Sequence, residues 1–183
     1  MEGEASLEGV IRPCTPADMA AALAVINAAA EAYRGVIPAD RWHKPYMSKA
    51  ELESEMADGV VFSGLFAEGY LAGVMGVQRR GNVDLIRHAY VLPEWQGRGV
   101  GSRLLARLRR GAHRPILIGT WAAAGWAIGF YERHGFTRVA AEDAPRLLRT
   151  YWNVPERQIA TSVVLASPSI ADASSLIAGA QVN

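Results

Sequence analysis

The sequence predicts an α/β (α+β) domain, and three observations carry that prediction. An apolar run from Leu85 to Leu92 leads through a glycine-rich turn into a segment with helical periodicity, residues 100–112. Two strand-like runs flank Glu68-Gly69, which is a tight hairpin signal. Residues 115–120 are apolar and β-branched, as in a buried central strand. At 183 residues the chain suits one domain with a substantial core.

Local signals predict the elements of the N-terminal half. A short strand at residues 10–12 is ended by Pro13, and a helix opens at residues 16–18 and runs to about Ala32. An irregular, aromatic stretch follows over residues 33–47. Ser48 and Glu51 then have the capping-box spacing before a helix at residues 49–57. The hairpin strands are expected at residues 60–67 and 70–78, and residues 79–82 turn the chain into a long strand at 83–91.

The C-terminal half is predicted in the same way. After the strand at 115–120 comes a helix over residues 123–134, closed by Gly135 as a left-handed cap. A strand at 136–139, a helical turn or short helix at 144–151 and a last strand at 159–165 follow. The tail, residues 166–183, contains a weakly apolar helical patch, residues 170–177. The sequence leaves three alternatives for this tail: it is loosely attached, it forms a short docked helix, or it contacts a second copy in a dimer.

Composition excludes several classes of protein. The net charge of +1 argues against a nucleic-acid or membrane-surface partner. The most apolar helix, residues 17–32, is interrupted by polar residues and does not read as membrane-spanning. The single cysteine, Cys14, excludes an intramolecular disulfide, and no residue cluster has metal-ligand spacing, so no metal is predicted. The first residues, 1–4, lack the layout of a signal peptide, and a cytoplasmic protein is expected.

The chain is organised around the glycine-rich stretch Gln96-Gly97-Arg98-Gly99-Val100-Gly101-Ser102. A strand, a glycine turn and a helix in succession point backbone N–H groups and a helix N-terminus at one spot, which suits a phosphate or diphosphate. A Walker loop would need a lysine before Ser102, and a dinucleotide fingerprint would need glycine in place of Ser102. A third pattern, Gln/Arg-x-x-Gly-x-Gly/Ala, fits Gln96, Gly99 and Gly101. A plain glycine-rich turn is the remaining alternative.

That third pattern resembles the acetyl-CoA diphosphate loop of the GNAT acyltransferase superfamily. A second segment, residues 127–136, resembles the Ala-x-x-x-Tyr-Glu-x-x-Gly-Phe end of the same superfamily's second cofactor helix. The two motifs stand in the expected order and about thirty residues apart. The chain is therefore identified as a member, with the resemblance covering roughly residues 10–165. It implies a mixed, mostly antiparallel sheet of six to seven strands flanked by helices, in one acetyltransferase domain over residues 1–166.

The resemblance also implies acetyl-CoA as the cofactor and assigns residues to it. In the family, the strand before the loop splays from its neighbour and pairs with the pantetheine arm. On this chain that implies backbone contacts from Tyr90, Val91 and Leu92; an ordinary buried strand would look the same. The loop residues and the second motif complete the predicted cofactor site: Gln96, Gly97, Arg98, Gly99, Val100, Gly101, Ser102, Ala127, Phe130 and Tyr131.

Two residues are predicted to be catalytic. By resemblance Tyr131 protonates or steadies the departing thiolate, which a phenol with an ordinary pKa near 10 can do; packing in the core is the alternative. The family's asparagine seven residues earlier is Ala124 here, and its glutamate base falls at about Leu85, beside Asp84. His88 is therefore the candidate base. Three alternatives remain: Asp84 or Glu31 is the base, the amine loses its proton without a dedicated base, or His88 has only a structural role.

The acceptor is expected to meet the loop between the first two helices, residues 33–43, as in the fold generally. Tyr33, Arg34, Trp42 and, beside the second cofactor helix, Trp121 are the predicted substrate-binding residues. An arginine with aromatic neighbours suits a small acceptor that carries a carboxylate. Alternatively, the aromatic rings only attach the loop to the protein core or pack within that core, and Arg34 is exposed to solvent. Trp126 and the aromatic segment 146–158 could border the same site.

The predicted function is transfer of acetyl from acetyl-CoA to the primary amine of a small molecule, such as an amino acid or related metabolite. Acetylation of a protein N-terminus or lysine is one alternative, although the Pro- and Trp-containing loop argues against an open peptide groove. An acyl-CoA-binding sensor without turnover is the other. The missing asparagine and glutamate favour the sensor, and the presence of Tyr131 argues against it.

Overall fold

The computed structural model describes residues 8–180. The predictions for residues 1–4 and for residues 181–183 lie outside this part of the chain. Seven strands occur within it: β1 Val10–Pro13, β2 Val60–Ala67, β3 Tyr70–Arg80, β4 Val83–Val91, β5 Ile116–Trp121, β6 Thr137–Arg138 and β7 Ser162–Ser167. Seven α-helices occur in the same residues: α1 Met19–Ala30, α2 Lys49–Ala57, α3 Val100–Arg110, α4 Gly125–Arg133, α5 Ala144–Tyr151, α6 Glu156–Ile159 and α7 Ala173–Ala180.

The strands form one mixed sheet in the order β1-β2-β3-β4-β5-β7-β6. Strands β1 and β2 pair antiparallel, as do β5 with β7 and β6 with β7. Strand β4 pairs in parallel with β5, from Asp84 opposite Ile116 to Ile86 opposite Ile118. A parallel pair needs a crossover connection, which here contains α3. The predicted mixed, mostly antiparallel sheet of six to seven strands is confirmed.

Several boundaries differ from those predicted, each for a local reason. Arg79 and Arg80 belong to β3, and the turn is limited to Gly81, whose φ is +53°, and Asn82. The last strand begins at Ser162 and not at Ile159, because Ile159 is the last residue of the short helix α6. The strand expected at 136–139 is only two residues long. The first helix opens and closes in 3-10 turns rather than as one α-helix.

The described residues divide into two compact units. The first contains residues 8–32, 43–76 and 87–111. Its core joins one face of α1 and the helix α2 to the sheet through Ile26, Leu52, Phe62 and Val74. Asn27 on α1 donates to the Met47 carbonyl at 2.9 Å and accepts from the Met47 N–H at 2.9 Å. This pair of hydrogen bonds fixes the chain where it enters α2.

Helix α2 begins as its sequence predicts. The Ser48 hydroxyl accepts from the Glu51 N–H at 3.2 Å, and the Glu51 carboxylate accepts from the Ser48 N–H at 2.6 Å. Those two bonds satisfy two backbone donors that a helix N-terminus otherwise leaves without partners. The capping box therefore fixes the first turn of α2, and with it the direction of the side chains one turn further on.

The second unit contains residues 33–42, 77–86 and 112–180. Its core lies around Leu117 and Leu147, neither of which is exposed. Gly119 in β5 lies directly under the Trp152 ring, and an added Cβ would come within 3.3 Å of two ring atoms. A side chain at position 119 would therefore push the tryptophan away from β5.

The tail helix α7 is docked on the second unit by a polar cluster. The Tyr151 hydroxyl lies 2.9 Å from Asn82 Oδ1 and 3.0 Å from the Leu176 carbonyl, and its one hydrogen serves both acceptors. Asn82 Nδ2 also donates to the Leu176 carbonyl at 2.9 Å. Ala173 at the start of α7 is 1 % exposed. The tail is thus held by hydrogen bonds at its centre and by apolar burial at its start.

Replacing Tyr151 with phenylalanine is expected to loosen this helix. The change removes the shared hydrogen bond, which is worth about 1 kcal/mol of unfolding free energy, while Asn82 keeps its own bond to Leu176. We expect a lower Tm and faster proteolysis within residues 168–180. The control is Tyr70→Phe, since Tyr70 is 68 % exposed, and equal proteolysis of both variants would contradict the assignment.

No helix within residues 8–180 is long and apolar enough to cross a membrane.

Candidate functional site

The glycine-rich loop joins β4 to α3 in the first unit. A 3-10 turn, Pro93–Trp95, leads into it, and Trp95 is buried while Gln96, Gly97, Arg98 and Gly99 are exposed. Gly97 and Gly99 have φ angles of +73° and +77°, in the left-handed region that glycine adopts without strain. Gly99 is the N-cap of α3, and no side chain caps that helix.

The N-terminus of α3 has the features of an anion site. The first backbone bond of this eleven-residue helix runs from the Arg103 N–H to the Gly99 carbonyl, so the N–H groups of residues 100–102 precede it. Nothing lies within 4 Å of where a Cβ at Gly97 or Gly99 would stand. The backbone is therefore open to close approach at both glycines, and a diphosphate fits this loop. Arg98, stacked 5.1 Å from the Trp95 ring centroid, adds a positive charge.

The helix is held firmly at this end. Val100 is 1 % exposed, and the Arg103 guanidinium donates to the Gly9 carbonyl at 2.7 Å. The two contacts join the first turn of α3 to the sheet and to the residue before β1. The loop's N–H groups are thus fixed before any ligand arrives, which lowers the entropic cost of binding.

The end of β4 is tied both to β3 and to the loop. The Leu92 N–H donates to the Ala72 carbonyl at 2.9 Å. Gln96, predicted as a cofactor residue, donates its side-chain amide to the Val91 carbonyl at 3.2 Å, and its N–H to the Pro93 carbonyl at 3.2 Å. Gln96 therefore braces the turn that leads into the glycines and the first turn of α3.

His88 lies within β4 in an unusual backbone conformation. Its φ is +50°, and among residues 8–180 only Glu68, in the β2–β3 hairpin turn, is another non-glycine residue with positive φ. Such a residue inside a strand marks a local irregularity of the bulge type and costs on the order of 1–2 kcal/mol. Its ring is 15 % exposed and lies 6.0 Å from the Phe62 ring.

Glu55, on α2, reaches the same place and was not recognised from the sequence. One terminal nitrogen of Arg87 lies 2.9 Å and 2.7 Å from its two carboxylate oxygens. His88 Nε2 is buried and lies 3.2 Å from Glu55 Oε2, so the imidazole ring and the carboxylate are in contact. Burial raises the pKa of Glu55, while the contact with His88 and the Arg87 charge outweigh it, and the net pKa lies below the ordinary value.

Tyr131 lies on α4 in the second unit and is 5 % exposed. The Phe130 ring meets it edge-on at 5.0 Å and the Phe136 ring at 5.6 Å. Burial and, secondarily, the nearby Tyr33 raise its pKa well above the ordinary value, so the phenol is a neutral hydrogen-bond donor at physiological pH.

Ala124, at the position where the resemblance implies an asparagine, is the N-cap residue of α4. Ala124 is fully buried, and its carbonyl accepts from the N–H groups of Ala127 at 3.0 Å and Ile128 at 3.1 Å. No side chain caps the helix there. Trp121, predicted as a substrate residue, is 7 % exposed and ends β5. Its burial favours the core-filling alternative.

Residues 33–42 of the acceptor loop, which is predicted over residues 33–43, belong to the second unit and are held there by side-chain contacts. Tyr33 packs on Trp126 with ring centroids 5.5 Å apart, and the Arg34 guanidinium lies 5.4 Å from the Trp42 ring centroid. Arg157 Nε lies 2.6 Å from Asp40 Oδ2, an ion pair that joins the loop to α6. The loop therefore has a fixed course even though several of its side chains are exposed.

The two other candidates for the general base, Asp84 and Glu31, lie in different environments. Asp84 is 9 % exposed, and its Oδ1 lies 3.9 Å from Arg79 Nε and 4.0 Å from Arg114 Nη1. Glu31 is exposed in the 3-10 turn after α1. Among residues 8–180, no group of three His, Cys, Asp or Glu side chains is arranged to hold a metal ion.

Cys14 is half-buried beside Gly64 and is not activated. Burial raises the pKa of the thiol to about 11, with the Asp18 carboxylate acting in the same direction. Only the thiolate attacks alkylating reagents, so we expect reaction with iodoacetamide at pH 7 to be at least about tenfold slower than in the urea-unfolded chain. The rate should rise until the pH approaches 11. Equal native and unfolded rates at pH 7 would show the thiol to be reactive.

The chain is similar to one known protein family. One family profile, the acetyltransferase (GNAT) domain, matches residues 23–147, which is more than half of the chain. No curated protein sequence matches the chain significantly.

Solved structures share the fold at low identity. The PaiA N-acetyltransferase from Thermoplasma acidophilum, solved with coenzyme A, is 17% identical, with a TM-score of 0.66 over 87% of this chain and 98% of that one. The ribosomal-protein-S18-alanine N-acetyltransferase from Escherichia coli is 19% identical, with a TM-score of 0.60 over 87% and 92%. N-acetylglutamate synthase from Neisseria gonorrhoeae is 23% identical, with a TM-score of 0.58 over 87% of this chain and 34% of that longer one.

The glycine loop at the head of α3, the mixed seven-stranded sheet and the family match agree with one another. The chain belongs to the GNAT acetyltransferase family and is an acyltransferase that uses acetyl-CoA.

Proposed function

We propose that this acetyltransferase acts on the primary amine of a small molecule that carries a carboxylate, such as an amino acid or a related metabolite. The observation that carries the proposal is the fixed course of the predicted acceptor loop. The Asp40–Arg157 ion pair at 2.6 Å and the Tyr33–Trp126 packing hold the loop down, whereas a peptide acceptor needs an open groove for its backbone.

Arg34 is the proposed recognition residue for the carboxylate. Its guanidinium stacks near Trp42 at 5.4 Å, which restricts the plane of its donors. A planar fork with a restricted orientation suits a carboxylate, which it can bind through two parallel hydrogen bonds. Tyr33 and Trp42 would then contact the apolar part of the acceptor, while the burial of Trp121 assigns it to support of β5.

The remaining roles are assigned to groups in each unit. Bound acetyl-CoA supplies the acetyl group as a thioester. In the first unit, the N–H groups of Gly97 through Ser102 hold the diphosphate, and the backbone of Tyr90, Val91 and Leu92 lines the pantetheine arm. In the second unit, Ala127 and Phe130 contact the cofactor. Tyr131 donates its proton to the departing thiolate, for which its raised pKa keeps it neutral.

Two broader assignments accompany this proposal. Residues 1–166 are proposed as the catalytic domain, with residues 167–183 as its tail; the tail remains a candidate homodimer contact. A cytoplasmic location is proposed because the chain contains one cysteine and so no intramolecular disulfide. The charge balance supports a reaction that involves neither nucleic acid nor membrane surfaces.

The experiment is a competition between acceptor classes. The protein is incubated with acetyl-CoA and an equimolar mixture of amino acids, their decarboxylated amines and short peptides, and mass spectrometry identifies the acetylated products. We expect a carboxylate-bearing small amine to be preferred. Arg34→Gln should raise KM for that acceptor about tenfold or more, as for a lost charge-assisted contact. The exposed Arg107→Gln on α3 serves as the control. Preference for peptides would overturn the proposal.

A further inference from the structure

We infer that Gly73 of β3 is a positioning residue for acetyl-CoA, because its missing side chain sets how closely two cofactor-binding elements approach each other. One element is the end of β4, whose backbone is proposed above to line the pantetheine arm. The other is the first turn of α3, which is proposed to hold the diphosphate. The inference rests on those two placements, and it gives a role in cofactor binding to a residue outside both elements.

Three atoms crowd the place where a side chain at position 73 would stand. An added Cβ would lie 2.8 Å from Val100 Cγ1, 3.1 Å from the Tyr90 carbonyl oxygen and 3.2 Å from Val91 Cγ2. Val100 is the first residue of α3, and Tyr90 and Val91 are the last two residues of β4. Gly73 is therefore the point at which β3 contacts both elements at once, all within the first unit.

These neighbours have little freedom to move away from a side chain at position 73. Val100 is 1 % exposed, and a β-branched residue in a helix has one strongly preferred χ1 rotamer. The contact with Tyr90 is to a backbone oxygen, which a change of rotamer does not move. Because the interior is close-packed, an added Cβ would be accommodated by a shift of the backbone of α3 or of β4.

Other contacts fasten both elements close to this point. The Leu92 N–H, directly after β4, donates to the carbonyl of Ala72, the residue before Gly73, at 2.9 Å. The Arg103 guanidinium in α3 donates to the Gly9 carbonyl at 2.7 Å. The diphosphate and the pantetheine arm belong to one covalent molecule, so the spacing of the two elements has to match it. A displacement at position 73 would change that spacing.

Gly76 on the same strand offers a matched comparison. An added Cβ there would lie 2.8 Å from the Arg87 carbonyl oxygen and 2.8 Å from Val60 Cγ1, and its three nearest atoms include none from α3. Side chains three residues apart on a strand point to opposite faces of the sheet. A side chain at either position would strain the sheet, but only the one at position 73 would press on α3.

The first test compares Gly73→Ala with Gly76→Ala by titration calorimetry with CoA. We expect Gly73→Ala to raise the Kd for CoA about tenfold, which is the lower end of the effect of one lost charge-assisted hydrogen bond. Gly76→Ala should lower Tm to a similar extent but leave the Kd of the folded protein within about threefold. The KM for acetyl-CoA should follow the Kd, whereas kcat at saturating acetyl-CoA should change little. Equal Kd values for the two variants would overturn the inference.

The second test adds Val100→Ala, which removes the atom 2.8 Å from the added Cβ and keeps the backbone N–H of position 100. In this background, Gly73→Ala should change the Kd for CoA by less than about threefold, because the closest contact is gone. If Gly73→Ala alone does not fold, Val100→Ala should restore a folded protein that binds CoA. It should not improve Gly76→Ala. An undiminished effect of Gly73→Ala, or no recovery of folding, would contradict transmission through Val100.

A last comparison separates this inference from the placement of the diphosphate. Gly99→Ala changes the glycine loop directly, and its Kd for CoA is measured beside that of Gly73→Ala. Weaker binding in both variants, but not in Gly76→Ala, is the expected result. Weaker binding in Gly99→Ala alone would keep the diphosphate at the loop and overturn the positioning role. Unchanged binding in both would remove the diphosphate from the loop, and the inference would fail with that placement.

Discussion

Tyr131→Phe is expected to lower kcat for CoA-thiol release by about 10²-fold, the usual effect of losing a general acid. The phenol is 5 % exposed, and its raised pKa keeps the proton in place until a thiolate develops beside it. Phenylalanine fills nearly the same volume between Phe130 and Phe136, so Tm should stay within a few degrees. KM for acetyl-CoA should change little. Steady-state thiol release against acetyl-CoA concentration measures both constants.

Phe136→Leu is the matched control for this variant. It removes the edge contact on the Tyr131 ring at 5.6 Å but leaves the hydroxyl. We expect it to lower Tm and to retain kcat per folded molecule within about threefold, because no proton donor is lost. Equal losses of kcat in both variants would mean that Tyr131 acts through packing and not through its hydroxyl.

Gly99→Ala should raise KM for acetyl-CoA about tenfold or more. An L-residue at a φ of +77° costs about 1–2 kcal/mol, and the new methyl group stands in the open space through which a diphosphate would approach the loop. Losing one charge-assisted hydrogen bond, at about 1.5–3 kcal/mol, corresponds to a loss of affinity of about 10- to 100-fold. Titration calorimetry with CoA measures the same loss without an acceptor.

Gly59→Ala separates backbone strain from loss of the ligand contact. Gly59 lies between α2 and β2 with a φ of +97° and, like Gly99, has nothing within 4 Å of an added Cβ. Both variants should therefore lose a similar amount of stability. Only Gly99→Ala should weaken CoA binding, and a similar loss of affinity in Gly59→Ala would remove the loop from the cofactor site.

The parts of the fold that depend on local chemistry could be predicted from the sequence. Ser48 and Glu51 mark the start of α2 because both partners of the capping box lie within four residues. Glu68-Gly69 marks the β2–β3 turn, and both residues have the positive φ that a two-residue hairpin of type I′ requires. The glycine loop could be found because its backbone conformation demands particular residues, Gly97 and Gly99 above all.

The parts that depend on long-range contacts could not be predicted. His88 adopts positive φ although it is not a glycine and nothing in the apolar pattern of β4 marks it. Glu55 reads as a surface residue of α2, and only the fold brings Arg87 and His88 to it from 32 and 33 residues away. The adjacent basic pair Arg87-His88 within a buried strand was the one available signal, because buried charges need a partner.

A crystal structure with coenzyme A bound tests most directly whether the glycine loop holds the diphosphate of the acetyl donor. We expect the diphosphate oxygens to lie within hydrogen-bond distance of N–H groups between Gly97 and Ser102, at the N-terminus of α3. A diphosphate bound elsewhere on the chain, with those N–H groups facing only water, would contradict it.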